Sequence, residues 1–287
     1  MTQIRGIYAA GLSILDENLT LNVDKTIKHS ESLIDRGCHG VAVLGSTGQA
    51  QLISISEKIN LLNKLSLSRY KKNFLIGTGL NSLSETINFM EISCSLGFKK
   101  FLIMPPAYYK YGDREVIDFY TRIIDKISNC EIILYNFEKL SGYKFSVECV
   151  EKLANKFPKQ IVGVKDSSYN LYQNLKIDNF SILPGSELKL LSGLELGCSG
   201  IITATCNATV ELSRKVYNDF VDKKKQSENE RLCKIRKVFD QFNLVSGLHT
   251  FFAKENKIYK NILPPLSILD EKDEKKLLED LKKLDFN

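Results

Sequence analysis

Short apolar segments recur along the chain, and longer segments in which apolar residues repeat with helical spacing follow them. The eight apolar segments lie at 6–10, 40–45, 74–79, 100–105, 131–136, 161–166, 180–185 and 200–205. They are rich in Val, Ile and Phe and too short for buried helices, which is typical of parallel strands covered on both faces. Eight strand–helix repeats predict a closed (β/α)₈ barrel of the α/β class, because an open sheet more often stops at about five to seven strands.

Segments with helical periodicity lie between these strands, for example at 22–36, 54–68, 113–127 and 146–156. Some of them begin with residues that cap helices. Ser54 and Glu57 have the spacing of a capping box, and Ser84 and Ser146 are further candidate N-terminal caps. These signals indicate where the predicted helices begin.

Beyond residue 207 the pattern predicts helices only, at about 210–220, 229–243 and 271–284. No segment rich in Pro, Gly or Ser separates this region from the barrel as a linker would. We therefore predict a single domain, in which residues 1–207 form the barrel and residues 208–287 form C-terminal helices packed on it.

Composition and charge narrow the classes of function. The 287 residues carry a formal net charge of +6, and the lysine runs at 223–225 and 275–276 are interpreted as solvated helix faces rather than as contacts to nucleic acid. The seven cysteines are scattered singly without a CxxC pair, which favours reduced thiols in the cytoplasm. Neither a signal peptide nor an apolar stretch long enough for a membrane span is evident.

Active sites of such barrels lie at the carboxyl ends of the strands. The polar residues that end or follow the predicted strands are Ser46, Thr47, Tyr108, Tyr109, Tyr135, Asn136, Lys165, Asp166, Glu187, Thr205 and Asn207. We expect the chemistry to come from this set.

Lys165 is the most informative of these residues, because it continues the run Ile161-Val162-Gly163-Val164 without a break. Alternation along a strand would place Ile161, Gly163 and Lys165 on one face, with Gly163 indicating the crowded barrel interior. A lysine there loses hydration, which lowers its pKa and favours the neutral amine. Such an amine adds to a ketone to form an imine. The alternative is a lysine paired with a carboxylate at the barrel rim.

Tyr135 ends the preceding strand and is expected at a similar height, about 4.8 Å away across the sheet. A phenol there would move the protons that imine formation and carbon–carbon cleavage require. A core tyrosine bonded to the backbone is an equally good interpretation. The turn with Ser46 and Thr47 between two glycines offers hydroxyl and backbone donors to a carboxylate, although an ordinary strand–helix turn has the same composition.

With these residues in place, the sequence resembles the dihydrodipicolinate synthase / N-acetylneuraminate lyase family of pyruvate-dependent aldolases. The motifs are Gly45-Ser46-Thr47-Gly48, Tyr135-Asn136 and Gly163-Val164-Lys165-Asp166, with supporting similarity at 105–109, 183–185, 200–205 and 263–266. Each motif alone is weak, but the ordered set is specific and covers nearly the whole chain.

The resemblance implies a class I aldolase in which Lys165 forms a Schiff base with pyruvate or another 2-oxo acid. Tyr135 would be the general acid/base, while Ser46 and Thr47 would hold the carboxylate and complete a proton relay. Tyr108 would be a relay tyrosine that reaches into the site of a neighbouring subunit.

Three further residues are implied to contact substrate: Gly185, Ile202 and Glu187. Gly185 and Ile202 would line the pyruvate end, and Glu187 keeps one of the two acidic residues that sialic acid lyases use on the sugar tail. The resemblance also implies a homo-oligomer, either a tetramer or a dimer, and neither a metal nor a cofactor beyond the imine on Lys165.

Departures from the family pattern bear on the substrate. Gln49 stands where the family usually has Glu, and Glu138 stands where it usually has Pro. Leu140 takes the place of an Arg that grips the aldehyde's carboxylate in dihydrodipicolinate synthases, and Leu cannot make that contact. Lys139, the neighbouring residue, is an alternative cation for that carboxylate, although the sequence does not indicate where its side chain points.

The sequence therefore predicts a carbon–carbon lyase acting on a 2-oxo-3-deoxy sugar acid or a related 2-oxo acid, in the manner of N-acetylneuraminate lyase or 2-keto-3-deoxygluconate aldolase. The first alternative is 4-hydroxy-tetrahydrodipicolinate synthase of lysine biosynthesis. A second is a non-catalytic protein that binds a 2-oxo acid on the same fold. A barrel isomerase with a phosphate ligand is disfavoured, because residues 206–209 are not Gly-rich.

Overall fold

The computed structural model describes residues 4–287, and its centre is a ring of eight parallel strands. The strands are β1 (Gly6–Ala10), β2 (Gly40–Val43), β3 (Phe74–Gly77), β4 (Lys100–Ile103), β5 (Glu131–Asn136), β6 (Ile161–Asp166), β7 (Ser181–Pro184) and β8 (Gly200–Thr203). Ladders join them in the order β7-β6-β5-β4-β3-β2-β1-β8. Ser199 N–H donates to Ile182 O at 2.9 Å and brings β8 beside β7. The predicted (β/α)₈ barrel is confirmed.

The helices are α1 (Val23–Asp35), α2 (Ile55–Leu65), α3 (Leu83–Ser95), α4 (Asp113–Lys126), α5 (Glu138–Ser141), α6 (Val147–Lys156), α7 (Leu190–Glu195), α8 (Cys206–Val221), α9 (Asn229–Phe239), α10 (Leu244–Ala253) and α11 (Glu271–Lys282). None of the helices in the described part of the chain is both long and apolar enough to cross a membrane. The regular repeat departs at two neighbouring connections: the short α5 precedes α6 between β5 and β6, and within residues 167–180, between β6 and β7, no α-helix forms.

Caps explain where several helices begin. Ser54 and Glu57 form the predicted capping box of α2, and Ser146 accepts from Cys149 N–H at the start of α6. The prediction for α3 was wrong by two residues, because Ser82 rather than Ser84 accepts a backbone N–H and ends the extended chain.

The predicted helix at 229–243 was also wrong at its carboxyl end. Helix α9 stops at Phe239, and Asn243 is in an extended conformation from which its side chain accepts the N–H groups of Val245 and Ser246. This cap starts α10, which the sequence pattern did not predict. Asn is a strong N-terminal cap, so the sequence does contain a sign of a new helix at Asn243. Apolar residues on both sides of Asn243 nevertheless favoured one continuous helix.

Two apolar layers follow from the alternation of side chains along the strands. The inner layer fills the barrel and includes Ala42, Leu75, Ile133, Leu183 and Ile202, whereas the alternate positions pack outward against the helices. Each strand is thus buried on both faces, which explains its continuous apolar sequence.

The prediction that Ile161, Gly163 and Lys165 share one face of β6 was wrong at Ile161. The pairing of β6 with β5 shifts by one residue, from Ile132 opposite Ile161 to Ile133 opposite Gly163. Ile161 therefore packs in the outer layer. Beyond the shift, Gly163 is required, because a Cβ there would lie 2.5 Å from Ser181 O. Bulges of this kind re-aim the side chains that follow them.

The C-terminal helices cover the end of the barrel at which the strands finish. Leu12 and Ile14, just beyond β1, pack in one cluster with Phe239 of α9, Leu248 of α10 and Leu277 of α11. This packing leaves the carboxyl ends of the strands partly roofed by α9 and α10.

His29 is buried and His39 is half-buried, and this predicts acid sensitivity. Burial lowers the pKa of both His29 and His39 to about 4. His29 lies between Tyr259 and Asn207, with each ring nitrogen 2.9 Å from its partner. Below its ordinary pKa of about 6.5, each histidine takes up a proton in the unfolded chain but not in the folded one, so stability falls with pH until about pH 4.

We expect the stability advantage of the wild type over His29→Gln to shrink by about 1.4 kcal/mol per pH unit between pH 6 and pH 4.5. Urea unfolding of both proteins at several pH values measures this difference. A difference that stayed constant with pH would show that His29 is not held neutral in the folded protein.

Candidate active site

Lys165 and Tyr135 face each other inside the barrel. They are register partners at the ends of β6 and β5, and both are almost fully buried, with 3% and 4% of their surface exposed. Lys165 Nζ lies 4.1 Å from the centroid of the Tyr135 ring. Tyr135 OH in turn lies 3.0 Å from Ser46 Oγ, which comes from the turn after β2. The structure thus brings together three residues that are distant in sequence.

The surroundings of Lys165 hold no counterion for its amine. Within residues 4–287 no carboxylate forms an ion pair with Lys165, and no hydrogen bond to its Nζ is formed. Its neighbours in the inner layer, Leu183 and Ile202, are apolar. The rim ion pair that would have made Lys165 structural is therefore not seen.

The turn after β2 presents Ser46 and Thr47 to the same space. Leu44 has a positive φ of 55° and ends β2 two residues earlier than predicted. The turn is fixed by Gln49 N–H donating to Ser46 O at 3.1 Å and by Ser13 Oγ–H donating to Gly48 O at 2.6 Å. Ser46 and Thr47 line the cleft above Lys165.

Gln49, which departs from the family pattern, has a structural partner. Its side-chain oxygen accepts from Leu263 N–H at 2.8 Å, and its amide nitrogen lies 3.5 Å from His249 Nε2. The neutral amide thereby ties the turn after β2 to the C-terminal region. It does not line the cleft that contains Lys165.

That cleft has a volume of about 690 Å³ and lies at the carboxyl ends of the strands. Its walls include Phe137, Leu140, Ser167, Gly185 and Leu266. A smaller cavity of about 350 Å³ adjoins it at Ser46, Leu140 and Leu266 and also reaches Tyr135. Both volumes suit a small metabolite.

A larger cavity of about 770 Å³ lies at the opposite end of the barrel, among Glu131, Ile161 and Phe180 where strands begin. It borders the connection that lacks a helix, and it contains none of the predicted site residues. Because barrel enzymes carry their chemistry at the carboxyl ends of the strands, we assign the active site to the cleft around Lys165.

Asp166 and Asn136, which follow the two central residues, hold the site together. Asp166 accepts four N–H groups at 2.8–2.9 Å: one from the Asn136 side chain and three from the backbone of Tyr169, Leu171 and Tyr172. This one carboxylate anchors the loop after β6 to the end of β5. The loop then forms a wall of the cleft.

Glu187 does not line the cleft, although it was predicted to contact substrate. It is fully buried, and its carboxylate is taken up by Arg236 Nη1 at 2.8 Å and by the hydroxyl groups of Thr205 at 2.5 Å and Thr203 at 2.9 Å. The physical reason is that α9 returns to the barrel and places a guanidinium over this position. We therefore do not assign Glu187 a direct substrate contact.

The other predicted contacts divide into two groups. Gly185 lines the cleft, and Ile202 lies in the inner layer with Tyr135. Tyr108, by contrast, is 90% exposed, has a φ of 91°, and packs edge-to-face on its neighbour Tyr109. The structure of one chain does not bring Tyr108 to Tyr135.

Arg236 and Asp240 were missed as cleft residues. Both lie on α9, line the cleft, and pair with each other at 2.9 Å. Their spacing of four residues in a helix is that of an ordinary surface ion pair. No signal in the sequence alone distinguishes a surface ion pair from one at the cleft wall, because the return of α9 to the barrel is a tertiary feature.

The comparisons with known proteins define the class. A sequence model of the dihydrodipicolinate synthetase family matches residues 3–284. The chain belongs to this family, and the resemblance inferred from its motifs is confirmed.

Individual relatives are distant. An uncharacterized DapA-like lyase of Chloroflexus aurantiacus is 28% identical over 227 residues, covering 77% of this chain and 76% of the relative. A 2-dehydro-3-deoxy-D-gluconate/2-dehydro-3-deoxy-phosphogluconate aldolase of Picrophilus torridus is 26% identical over 231 residues, covering 78% and 85%. The crystal structure of YagE, a prophage protein from E. coli K12 in complex with pyruvate, aligns over 100% of both chains with a TM-score of 0.90 and 23% identity, which shows the shared fold.

We expect Asp166→Ala to destabilise the protein by about 3–5 kcal/mol, because four N–H groups lose their buried acceptor. The exposed Asp118→Ala, which removes only the ion pair with Arg122 on α4, should cost less than about 1 kcal/mol. Urea unfolding measures both. Equal small losses in the two variants would contradict the anchoring role of Asp166.

Proposed function

We propose that this protein is a Schiff-base aldolase/lyase that makes or consumes pyruvate. The observation that carries the proposal is the buried amine of Lys165, without a counterion in the described chain, 4.1 Å from the ring of a tyrosine that is bonded to Ser46. Family membership and the named aldolase relative support a lyase.

In the proposed reaction the neutral amine of Lys165 adds to the C2 carbonyl of a 2-oxo acid. One amine proton moves to the former carbonyl oxygen to give a carbinolamine; the phenol of Tyr135 then protonates its hydroxyl, water leaves, and a protonated imine remains beside the Tyr135 phenolate. The imine accepts the electron pair released when the C3–C4 bond breaks, while the C4 hydroxyl loses its proton to the Tyr135 phenolate and becomes an aldehyde. Protonation of the enamine at C3 and hydrolysis then release pyruvate and regenerate Lys165.

Ser46 and Thr47 have the chemistry to hold the substrate carboxylate. Their hydroxyl groups and the backbone N–H groups of a turn supply several donors at one place, which a carboxylate requires. Ser46 also contacts the phenol at 3.0 Å, so it is suited to pass a proton between Tyr135 and the cleft.

The proposed substrate is a 2-oxo-3-deoxy sugar acid or a related 2-oxo acid. Leu140 supports this choice, because it lines the cleft with 44% of its surface exposed and offers no donor to a carboxylate on the aldehyde. The aldolase of Picrophilus torridus, which is named for two such sugar acids, also supports it.

A second candidate, 4-hydroxy-tetrahydrodipicolinate synthase, is favoured by Lys139, which lines the cleft beside Leu140 and has an ammonium group to offer. A panel of 2-oxo-3-deoxy acids assayed for pyruvate release, with condensation of pyruvate and aspartate semialdehyde as the opposing arm, decides between the two. Tight pyruvate binding without turnover in either arm would favour the non-catalytic binding protein.

We further propose a homo-oligomer, a tetramer or a dimer, that acts in the cytoplasm. The exposed Tyr108 and Tyr109 support a subunit contact, since large exposed aromatic pairs mark interaction surfaces. The seven cysteines, all free thiols, support a reducing compartment.

Borohydride reduction in the presence of pyruvate should attach one reduced pyruvate to the wild type, and peptide mass mapping should place it on Lys165. Lys165→Ala should give no adduct and lose all detectable turnover. Lys189→Ala, which removes another amine from the cleft, should keep the adduct. A folded wild type without the adduct would exclude the Schiff-base mechanism.

Tyr135→Phe should lower kcat by about 10²–10³-fold, because the variant keeps the ring beside Lys165 but loses the proton carrier. Ser46→Ala should have a smaller effect of about tenfold, since the phenol remains. Rates of pyruvate release, with circular dichroism as a check of folding, measure both. A Tyr135→Phe enzyme within twofold of the wild type would remove Tyr135 from the proposed proton transfers.

A further inference from the structure

Arg236 is held rigidly at the wall of the cleft. It is 5% exposed, and its Nη1 donates to Glu187 Oε2 at 2.8 Å, Thr203 Oγ1 at 3.0 Å and Thr205 Oγ1 at 3.2 Å. Its Nε donates to Asp240 Oδ1 at 2.9 Å. Four acceptors thus fix the orientation of a planar guanidinium.

One donor and one acceptor of this cluster remain unused. Within residues 4–287, Arg236 Nη2 forms no hydrogen bond, and neither does the second carboxylate oxygen of Asp240. Both residues line the cleft that contains Lys165. Two residues of the cleft wall thus carry an N–H donor and a carboxylate acceptor without partners in the described chain, and the buried Glu187 maintains the orientation of the guanidinium.

The charges of the cluster discriminate between ligands. Glu187 and Asp240 place two carboxylates against one guanidinium, so the cluster carries a net negative charge. A hydroxyl group can accept from Nη2 and donate to Asp240 at the same time. A phosphate or carboxylate could use only the donor, and Asp240 beside it would repel the anion.

We propose that Arg236 and Asp240 form a specificity subsite that binds hydroxyl groups on the aldehyde part of the substrate and disfavours a phosphorylated one. The inference rests on the proposed lyase function, and it narrows the substrate class of the same site. It also separates the two kinds of sugar acid, unphosphorylated and phosphorylated, for which the Picrophilus torridus relative is named.

Two lysines of the cleft would attract a phosphate and so oppose the selection against phosphorylated aldehydes. Lys139 is exposed, and Lys189 is half-buried with its Nζ 5.9 Å from the ring centroids of both Tyr169 and Tyr172. Asp240 is exposed as well, but its carboxylate is fixed by the bond to Arg236 at 2.9 Å, whereas neither lysine ammonium forms an ion pair within residues 4–287. The subsite on α9 therefore dominates the selection.

The test compares D-glyceraldehyde with D-glyceraldehyde 3-phosphate as acceptors for condensation with pyruvate. For the wild type, kcat/KM should be at least about tenfold higher with glyceraldehyde. In Asp240→Asn this ratio should fall by about tenfold, mainly through a lower KM for the phosphorylated aldehyde, because the repulsive charge is gone. The carboxamide replaces the carboxylate with little change of shape, so folding should be preserved.

Glu230→Gln is the matched control. Glu230 lies on α9 too and pairs with Lys234 four residues later, but it faces away from the cleft. Its acceptor ratio should equal that of the wild type. A double variant, Arg236→Met with Glu187→Gln, removes the donor without leaving a buried charge, and it should lower kcat/KM for glyceraldehyde at least about tenfold.

Borohydride trapping with pyruvate alone distinguishes failure of the proposed subsite from failure of the proposed lyase function. Normal adduct formation in all variants, with an acceptor ratio that Asp240→Asn does not change, would overturn the subsite and leave the lyase function standing. A wild type that preferred the phosphorylated aldehyde would do the same. Absence of the adduct from the wild type would overturn the lyase function, and the subsite with it.

Discussion

The interaction on which the site depends is the placement of one amine, Lys165, against the ring of Tyr135 in an apolar interior. An ammonium group buried without a counterion is costly, so the fold must supply stabilisation elsewhere to keep a lysine there. The bulge in β6 aims Lys165 inward, and the four hydrogen bonds on Asp166 fix the residue that follows it. The proposed chemistry uses this amine, held in an apolar interior, to attack a carbonyl carbon.

Much of the fold could be predicted because buried parallel strands have a local signature. The bounds of β1, β5 and β6 follow directly from their apolar runs. The other strands are shorter at one end or both, and at Leu44 the reason is a positive φ that no apolar pattern reveals. The prediction that Ile161 points into the barrel was wrong for a related reason. A one-residue shift in strand pairing moves a side chain to the other face of the sheet without changing the sequence pattern.

The site divides in the same way. Lys165, Tyr135, Ser46 and Thr47 could be named because each follows a strand, and the ends of neighbouring strands meet at one edge of a barrel. Arg236 could not be named, because its place depends on how the helices after the barrel fold back. The same return of α9 buries Glu187 beneath Arg236. The packing of α9 on the barrel therefore explains both why Arg236 was not predicted and why Glu187 does not line the cleft.

The connection after β6 has a consequence for how this protein can diversify. Where other strands are followed by a helix of the outer layer, residues 167–180 form an irregular segment held by Asp166 and by further hydrogen bonds, among them Ser167 N–H to Asn136 O and Glu138 N–H to Ser168 Oγ. Leu171, Tyr172 and Leu175 are buried in the core, so the part of the segment that lines the cleft is confined to Ser167, Ser168 and Tyr169. Directed evolution toward new acceptors would have to vary these three side chains while it keeps the backbone path that Asp166 fixes.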